Sequence, residues 1–186
     1  MNPRAVYLDR DGVLNRAIVR AGKPYPPSGL DELEILPRVA EALTRLKAAG
    51  YRLVVATNQP DVGRGTMAPE AVAAIHARMA EVLPLDAIEV CLHAGTEDCD
   101  CRKPKPGMLL RDGAAHGVDM RQSFMVGDRW RDIDAGAAAG CRTILIEAGY
   151  DERAPAHPPD RVCRSLLEAA DWILAKGDNL WRSSQI

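Results

Sequence analysis

The stretch Arg4-Ala5-Val6-Tyr7-Leu8-Asp9-Arg10-Asp11-Gly12 decides the fold. A short apolar run ends abruptly in charge and then in glycine, which reads as a buried strand opening into a polar loop at its carboxyl end. The same grammar recurs downstream. Residues 37–50 place Val39, Ala42, Leu43 and Leu46 at helical spacing between an entering proline and a closing glycine, and Tyr51 to Thr57 is a second apolar strand. A helix over about 69–83, a strand over about 87–92, a helix after Pro106, a strand over 123–126, a helix through 133–139 and a strand over 142–146 follow. Regular alternation predicts an α/β domain with a doubly wound, mainly parallel sheet, whose ligands bind beyond the carboxyl ends of the strands. The proline-rich stretch 151–160 reads as a loop before a last helix at about 165–175, and residues 177–186 as a loosely held tail.

Length and composition agree with one globular domain spanning 1–186. The 186 residues are 47% hydrophobic and 27% charged, and 24 basic against 26 acidic side chains leave a net charge of -2. Near-neutrality excludes a global field that would recruit nucleic acid or an anionic membrane, so any phosphate recognition must be local. Aromatic residues are only 4%, too few for a base-stacking groove. No run approaches the roughly 20 apolar residues that cross a bilayer, and the start lacks a signal-peptide core, so a cytoplasmic location is expected. No protein partner is evident.

Chemistry collects after the strands. Asp9 and Asp11, with Gly12 to turn the chain, suit a divalent cation with one oxygen left for attack, although Asp and Gly are also ordinary turn residues. Thr57, Asn58 and Gln59 offer donors for phosphate oxygens or a helix cap. Gly127-Asp128, followed by Asp132 and Asp134, brings further acid to the same sheet edge, where carboxylates without a cation would repel one another. Arg102, Lys103 and Lys105 stand in a proline-stiffened segment just before a helix N-terminus, an arrangement that favours an anion.

These four segments, in this order, resemble the haloacid dehalogenase superfamily of phosphohydrolases: DxDG at Asp9–Gly12, a strand-terminal Thr57, a lysine before a helix at Lys103, and GDxxxD from Gly127 to Asp132. The resemblance spans roughly residues 5–146. It implies that Asp9 is the nucleophile of an aspartyl-phosphate pathway and Asp11 the general acid and base. It further implies Mg²⁺ held by Asp9, Asp128 and the backbone carbonyl of Asp11, with Lys103 and Thr57 stabilising the phosphoryl oxygens.

Three of the five cysteines cluster. Cys91-Leu92-His93 and Cys99-Asp100-Cys101 together supply a Cys₃His set that suits tetrahedral, structural zinc, which would pin the loop carrying Arg102 and Lys103. Within the superfamily, this CxH with CxCRKPxPGM resembles the D-glycero-D-manno-heptose 1,7-bisphosphate 7-phosphatases, relatives of the histidinol phosphatases. That likeness implies a small phosphorylated sugar as substrate, bound by Asn58, Gln59, Arg102 and Arg129, in the supply of a cell-envelope polysaccharide. A histidinol-phosphate or other small sugar-phosphate phosphatase, and a non-catalytic zinc-stabilised binding module, are the alternatives. The chain departs from the subgroup's TNQSGIARG at Pro60 and Asp61, where a lost donor and an added charge would bear on the leaving group accepted, and in the proline-rich segment 17–30, which would overhang the site.

Overall fold

The computed structural model describes residues 2–183, with side chains as far as Lys176. Its frame is a six-stranded, all-parallel sheet built from β1 (Arg4–Leu8), β4 (Tyr51–Asn58), β5 (Ala87–Cys91), β6 (Phe124–Gly127), β7 (Arg142–Ile146) and β8 (Arg161–Cys163), in the spatial order β5-β4-β1-β6-β7-β8. Position in the sheet explains the apolar run that opens the chain. β1 pairs with β4 on one side and β6 on the other, Val6 lying opposite Leu53 and Phe124, so every residue from Ala5 to Leu8 is fully buried.

Side-chain alternation then sorts the core into two halves. Val6, Leu8, Leu53, Val55, Phe124 and Val126 point to one face, and Ala5, Tyr7, Val54, Ala56 and Met125 to the other. The first face is covered by α1 (Val39–Ala48), α3 (Pro69–Val82) and α6 (Leu166–Ser183), through Leu43, Leu46, Ile75, Met79, Ala169 and Ile173. The second receives α4 (Gly107–His116) through Met108 and Leu109, while α5 (Trp130–Ala138) packs beside β6 and β7. α1 buries Val39, Ala42, Leu43 and Leu46, the stripe that its sequence spacing predicts.

Three features differ from the sequence reading. β8 adds a sixth strand after the 151–160 loop, paired through Leu145 and Val162. Residues 17–30 contain a two-stranded hairpin, β2 (Ile18–Arg20) and β3 (Lys23–Tyr25), with Arg16 donating from its backbone to Glu34 at 2.8 Å and Leu36 to Leu14 at 2.9 Å across the base. The last helix does not stop near 175: its backbone stays helical to Ser183, so the expected tail is helix over that range, and its final residues 184–186 lie outside the described residues. Gly177 costs a helix only about 1 kcal/mol relative to alanine, too little to end it. Among the described residues no helix is long and apolar enough to cross a membrane.

Candidate active site

Because β1 lies between β4 and β6, the loops after these three strands converge at one sheet edge. There Lys103, delivered by the segment before α4, inserts its ammonium between two carboxylates, 2.8 Å from Asp9 Oδ1 and 2.6 Å from Asp132 Oδ1. Its side chain is only 2% exposed. Burial alone would pull the lysine down, but the facing Asp132 and Asp9 more than offset this and raise it above the ordinary lysine value. Asp132 is lifted to about 6 by burial and by the charge of Asp9. Asp128 rises well above the carboxylate range for the same reasons, with Asp132 adding to the repulsion.

Oxygen atoms of Asp9, Asp128 and Asp132 approach within 4.8 Å of one another. Both carboxylate oxygens of Asp128 are buried and accept no hydrogen bond, although the Tyr150 hydroxyl faces them. Two glycines make this convergence possible. A Cβ on Gly12, whose φ is +89°, would lie 1.9 Å from Asp128 Oδ2, and one on Gly127 would lie 2.1 Å from the Asp132 Cβ.

The Asp11 carboxylate faces a separate set of donors. The Arg10 guanidinium grips it side-on, with Nε and Nη2 between 3.0 Å and 3.3 Å from its oxygens, while Asn15 Nδ2 donates at 3.0 Å and Gln59 Nε2 at 2.8 Å. Gln59 also donates to Thr57 Oγ1 at 2.9 Å and is fully buried. Its expected contact with substrate therefore gives way to a hold on Asp11 and Thr57. Asn58 is similarly engaged: its Nδ2 donates to the Lys103 carbonyl and its Oδ1 accepts from the Lys103 N–H, both at 3.1 Å, so it ties the lysine's backbone to β4.

Above this floor opens a cleft of about 460 Å³, bounded by Asp9, Asp11 and Lys103 below and overhung by Lys23, Pro24 and Tyr25 of the hairpin. Cations crowd its rim. Arg64 pairs with Asp61 at 3.2 Å, so the added carboxylate in this chain is answered locally, and α2 (Pro60–Gly63) starts on the added proline. Arg129 is taken up by Glu152. Arg102, Arg131 and Lys23 line the same cleft without an ion-pair partner among the described residues. Arg102 is steadied by donating to the His93 carbonyl at 3.0 Å.

That carbonyl belongs to the cysteine loop. Donor atoms of Cys91, His93, Cys99 and Cys101 lie within 4.8 Å of one another, with His93 Nδ1 3.4 Å from Cys91 Sγ and 3.3 Å from Cys101 Sγ. All five cysteines are free of disulfides. Burial and the neighbouring thiols push Cys101 up to about 12.

Among residues not assigned a role from sequence, Asp132 enters the buried cluster and Tyr150 faces Asp128. The GDxxxD spacing signals the first; nothing local signals the second.

A HAD-hydrolase-like family model matches residues 100–169. The chain is 37% identical over 163 residues to the D-glycero-beta-D-manno-heptose-1,7-bisphosphate 7-phosphatase of Pseudomonas aeruginosa, covering 85% of this chain and 89% of that one. It is 35% identical over 183 residues to the enzyme of that name from Bordetella bronchiseptica, covering 92% and 98%. The crystal structure of the D,D-heptose 1,7-bisphosphate phosphatase from B. bronchiseptica complexed with magnesium and phosphate superposes with a TM-score of 0.76 at 32% identity, covering 93% of this chain and 99% of that one. With identity of this size running along nearly the whole of both chains and one sheet common to both, this chain belongs to the haloacid dehalogenase-like family of phosphatases.

Proposed function

We propose that this protein is a Mg²⁺-dependent phosphatase that removes the 7-phosphate of D-glycero-D-manno-heptose 1,7-bisphosphate through an aspartyl-phosphate at Asp9. The observation that carries the reading is the position of Asp9: beside a buried lysine, at the floor of a cleft whose rim holds unpaired cations.

Each residue has a task that its surroundings suit. An Asp9 carboxylate oxygen attacks phosphorus while the phosphorus–oxygen bond to the sugar breaks, and Asp11 delivers a proton to the departing oxygen. Water then attacks the aspartyl-phosphate, Asp11 takes its proton, and inorganic phosphate leaves Asp9 as a free carboxylate. Lys103 and Thr57 stabilise the phosphoryl oxygens, where charge gathers in the transition state. Gln59 and Arg10 keep the Asp11 carboxylate on the cleft side of the loop. Arg102 holds the remainder of the substrate, with Arg129 beside it on the cleft wall oriented by its pair with Glu152, and Asn58 keeps the Lys103 backbone in place.

The residues fit both expected metals. Asp9, Asp128 and the Asp11 backbone carbonyl, with Asp132 alongside, are hard oxygen donors, and the buried Asp128 carboxylate, faced by the Tyr150 hydroxyl, has no ion pair among the described residues. When bound, Mg²⁺ supplies the positive charge that offsets repulsion between a carboxylate and a phosphoryl group. Cys91, His93, Cys99 and Cys101 form a complete soft set for structural zinc, with no position left for water.

Inorganic phosphate release over a panel of sugar phosphates tests the reading. The heptose bisphosphate is expected to exceed histidinol phosphate in kcat/KM by at least about 100-fold, since a site built to pair polar groups of its substrate strongly rejects an analogue that lacks them. A preference for histidinol phosphate, or indifference among sugar phosphates, overturns the substrate assignment.

A further inference from the structure

Arg10 is the largest fully buried side chain among the described residues. A guanidinium in that position needs a partner on every edge, because a buried charge left unpaired is strongly destabilising. Two of its nitrogens, Nε and Nη2, are spent on Asp11. The third, Nη1, lies 3.1 Å from Nε2 of His76, a half-buried residue one position beyond the core residue Ile75 of α3. Arginine carries donors only, so His76 must accept, and its ring then bears its single proton on Nδ1. Burial, reinforced by the charge of Arg10, lowers the ring to about 4, which keeps that acceptor unprotonated near neutrality.

The geometry points to His76 as a positioning residue for the acid–base step: by taking the outer edge of Arg10, it fixes the plane in which the guanidinium presents the Asp11 carboxylate to the cleft. This rests on the phosphatase reading of Asp9 and Asp11 given above. Side-on pairing leaves the guanidinium a hinge about its line of contact with the carboxylate, and a third anchor on the far nitrogen removes that freedom. His76 neither lines the cleft nor belongs to the acidic cluster, and its one hydrogen bond toward the site is to Arg10. It is also the sole side chain of α3 tied by a hydrogen bond to the loop after β1 among the described residues.

The consequence is selective. Proton delivery matters for a poor leaving group such as a sugar alkoxide and little for p-nitrophenolate, and kcat/KM reports the step in which that group departs. We therefore compare His76→Leu and His76→Gln, using p-nitrophenyl phosphate and the heptose bisphosphate with Mg²⁺ present. Leu removes the acceptor; Gln restores one through Oε1. Expected is a fall in kcat/KM of about 10- to 100-fold for the sugar phosphate in His76→Leu, a loss below about 3-fold for the aryl phosphate, and recovery of most of the difference in His76→Gln. Equal losses on both substrates, no loss on either, or a failure of Gln to recover the leaving-group gap overturns the role of His76. If His76→Leu does not fold, His76→Ala, which also lacks the acceptor, takes its place in the same comparison and is read by the same outcomes. Wild-type protein that releases phosphate from neither compound would instead refute the underlying phosphatase reading, an outcome distinct from all of these.

Discussion

Replacing Lys103 with methionine keeps the length of the side chain and removes its charge from between Asp9 and Asp132, at 2.8 Å and 2.6 Å. Breaking a buried ion pair from one side ordinarily costs about 3–5 kcal/mol, because the abandoned charge stays buried. Here the carboxyls have an escape. Asp132 sits at about 6 even with the lysine present, so protonating it costs at most about 3 kcal/mol at pH 8 and almost nothing at pH 5. A carboxyl whose folded value is raised binds its proton more readily in the folded state, so its stabilising contribution is present below its unfolded value and is lost as pH rises through the folded one. Removing Lys103 raises Asp132 and Asp128 further, and the penalty therefore grows toward high pH.

We expect Lys103→Met to lose about 3 kcal/mol at pH 8 and about 1 kcal/mol at pH 5, which for a chain of this size is a fall in Tm of roughly 6–12 °C and 2–4 °C. Thermal unfolding followed by circular dichroism, without added divalent cation or chelator, measures both. Turnover should drop about 1,000-fold, as for loss of one transition-state donor. Equal shifts in Tm at the two pH values, or a larger loss at pH 5, would falsify the electrostatic account of this cluster.

Asp9→Asn should abolish phosphate release while leaving Tm equal or higher, since it removes one charge from a repelling group; residual turnover near wild type defeats the nucleophile assignment. Gly12→Ala should cost at least about 2 kcal/mol and weaken Mg²⁺ binding measured by calorimetry, because the new Cβ collides with the Asp128 carboxylate at a positive φ; unchanged affinity would mean that Asp128 is not a ligand. Cys99→Ser should lower zinc content, read by elemental analysis after dialysis, together with Tm, and active wild-type protein free of zinc would contradict a structural metal. Arg102→Ala should raise KM for the bisphosphate about 10-fold more than for p-nitrophenyl phosphate, and a matched effect on both would remove Arg102 from substrate recognition.

What could be read from the chain follows the range of the interactions involved. The parallel frame was legible because β1, β4 and β6 are continuous apolar runs, each followed at once by polar residues, and burial on both faces demands that pattern. Asp9, Lys103 and Asp128 were legible because each stands at a strand end or helix start, where topology alone brings them together. β8 was hidden because three residues, two of them exposed, are too few to establish a period. The hairpin was hidden for the same reason, and its prolines look like loop residues. The Arg10–His76 contact joins residues 66 positions apart, and in sequence His76 is merely a polar residue on an amphipathic helix. Gln59 looked like a ligand for substrate because nothing local reveals that its amide is already committed to Asp11 and Thr57.

The paired bonds between Asn58 and the Lys103 backbone have an engineering consequence. They clamp the lysine to the sheet from the far side of the cysteine loop, so the intervening turn is not what sets its position. Within that turn, the N–H groups of Ala94, Gly95 and Thr96 all donate to the Glu97 carboxylate, so it folds on its own contacts. Residues 94–98, which line no part of the cleft and reach outside their own turn through the Asp98–Lys105 pair, are thus where grafts of different length or charge would be tolerated between the cysteine and histidine donors while the lysine stays in register.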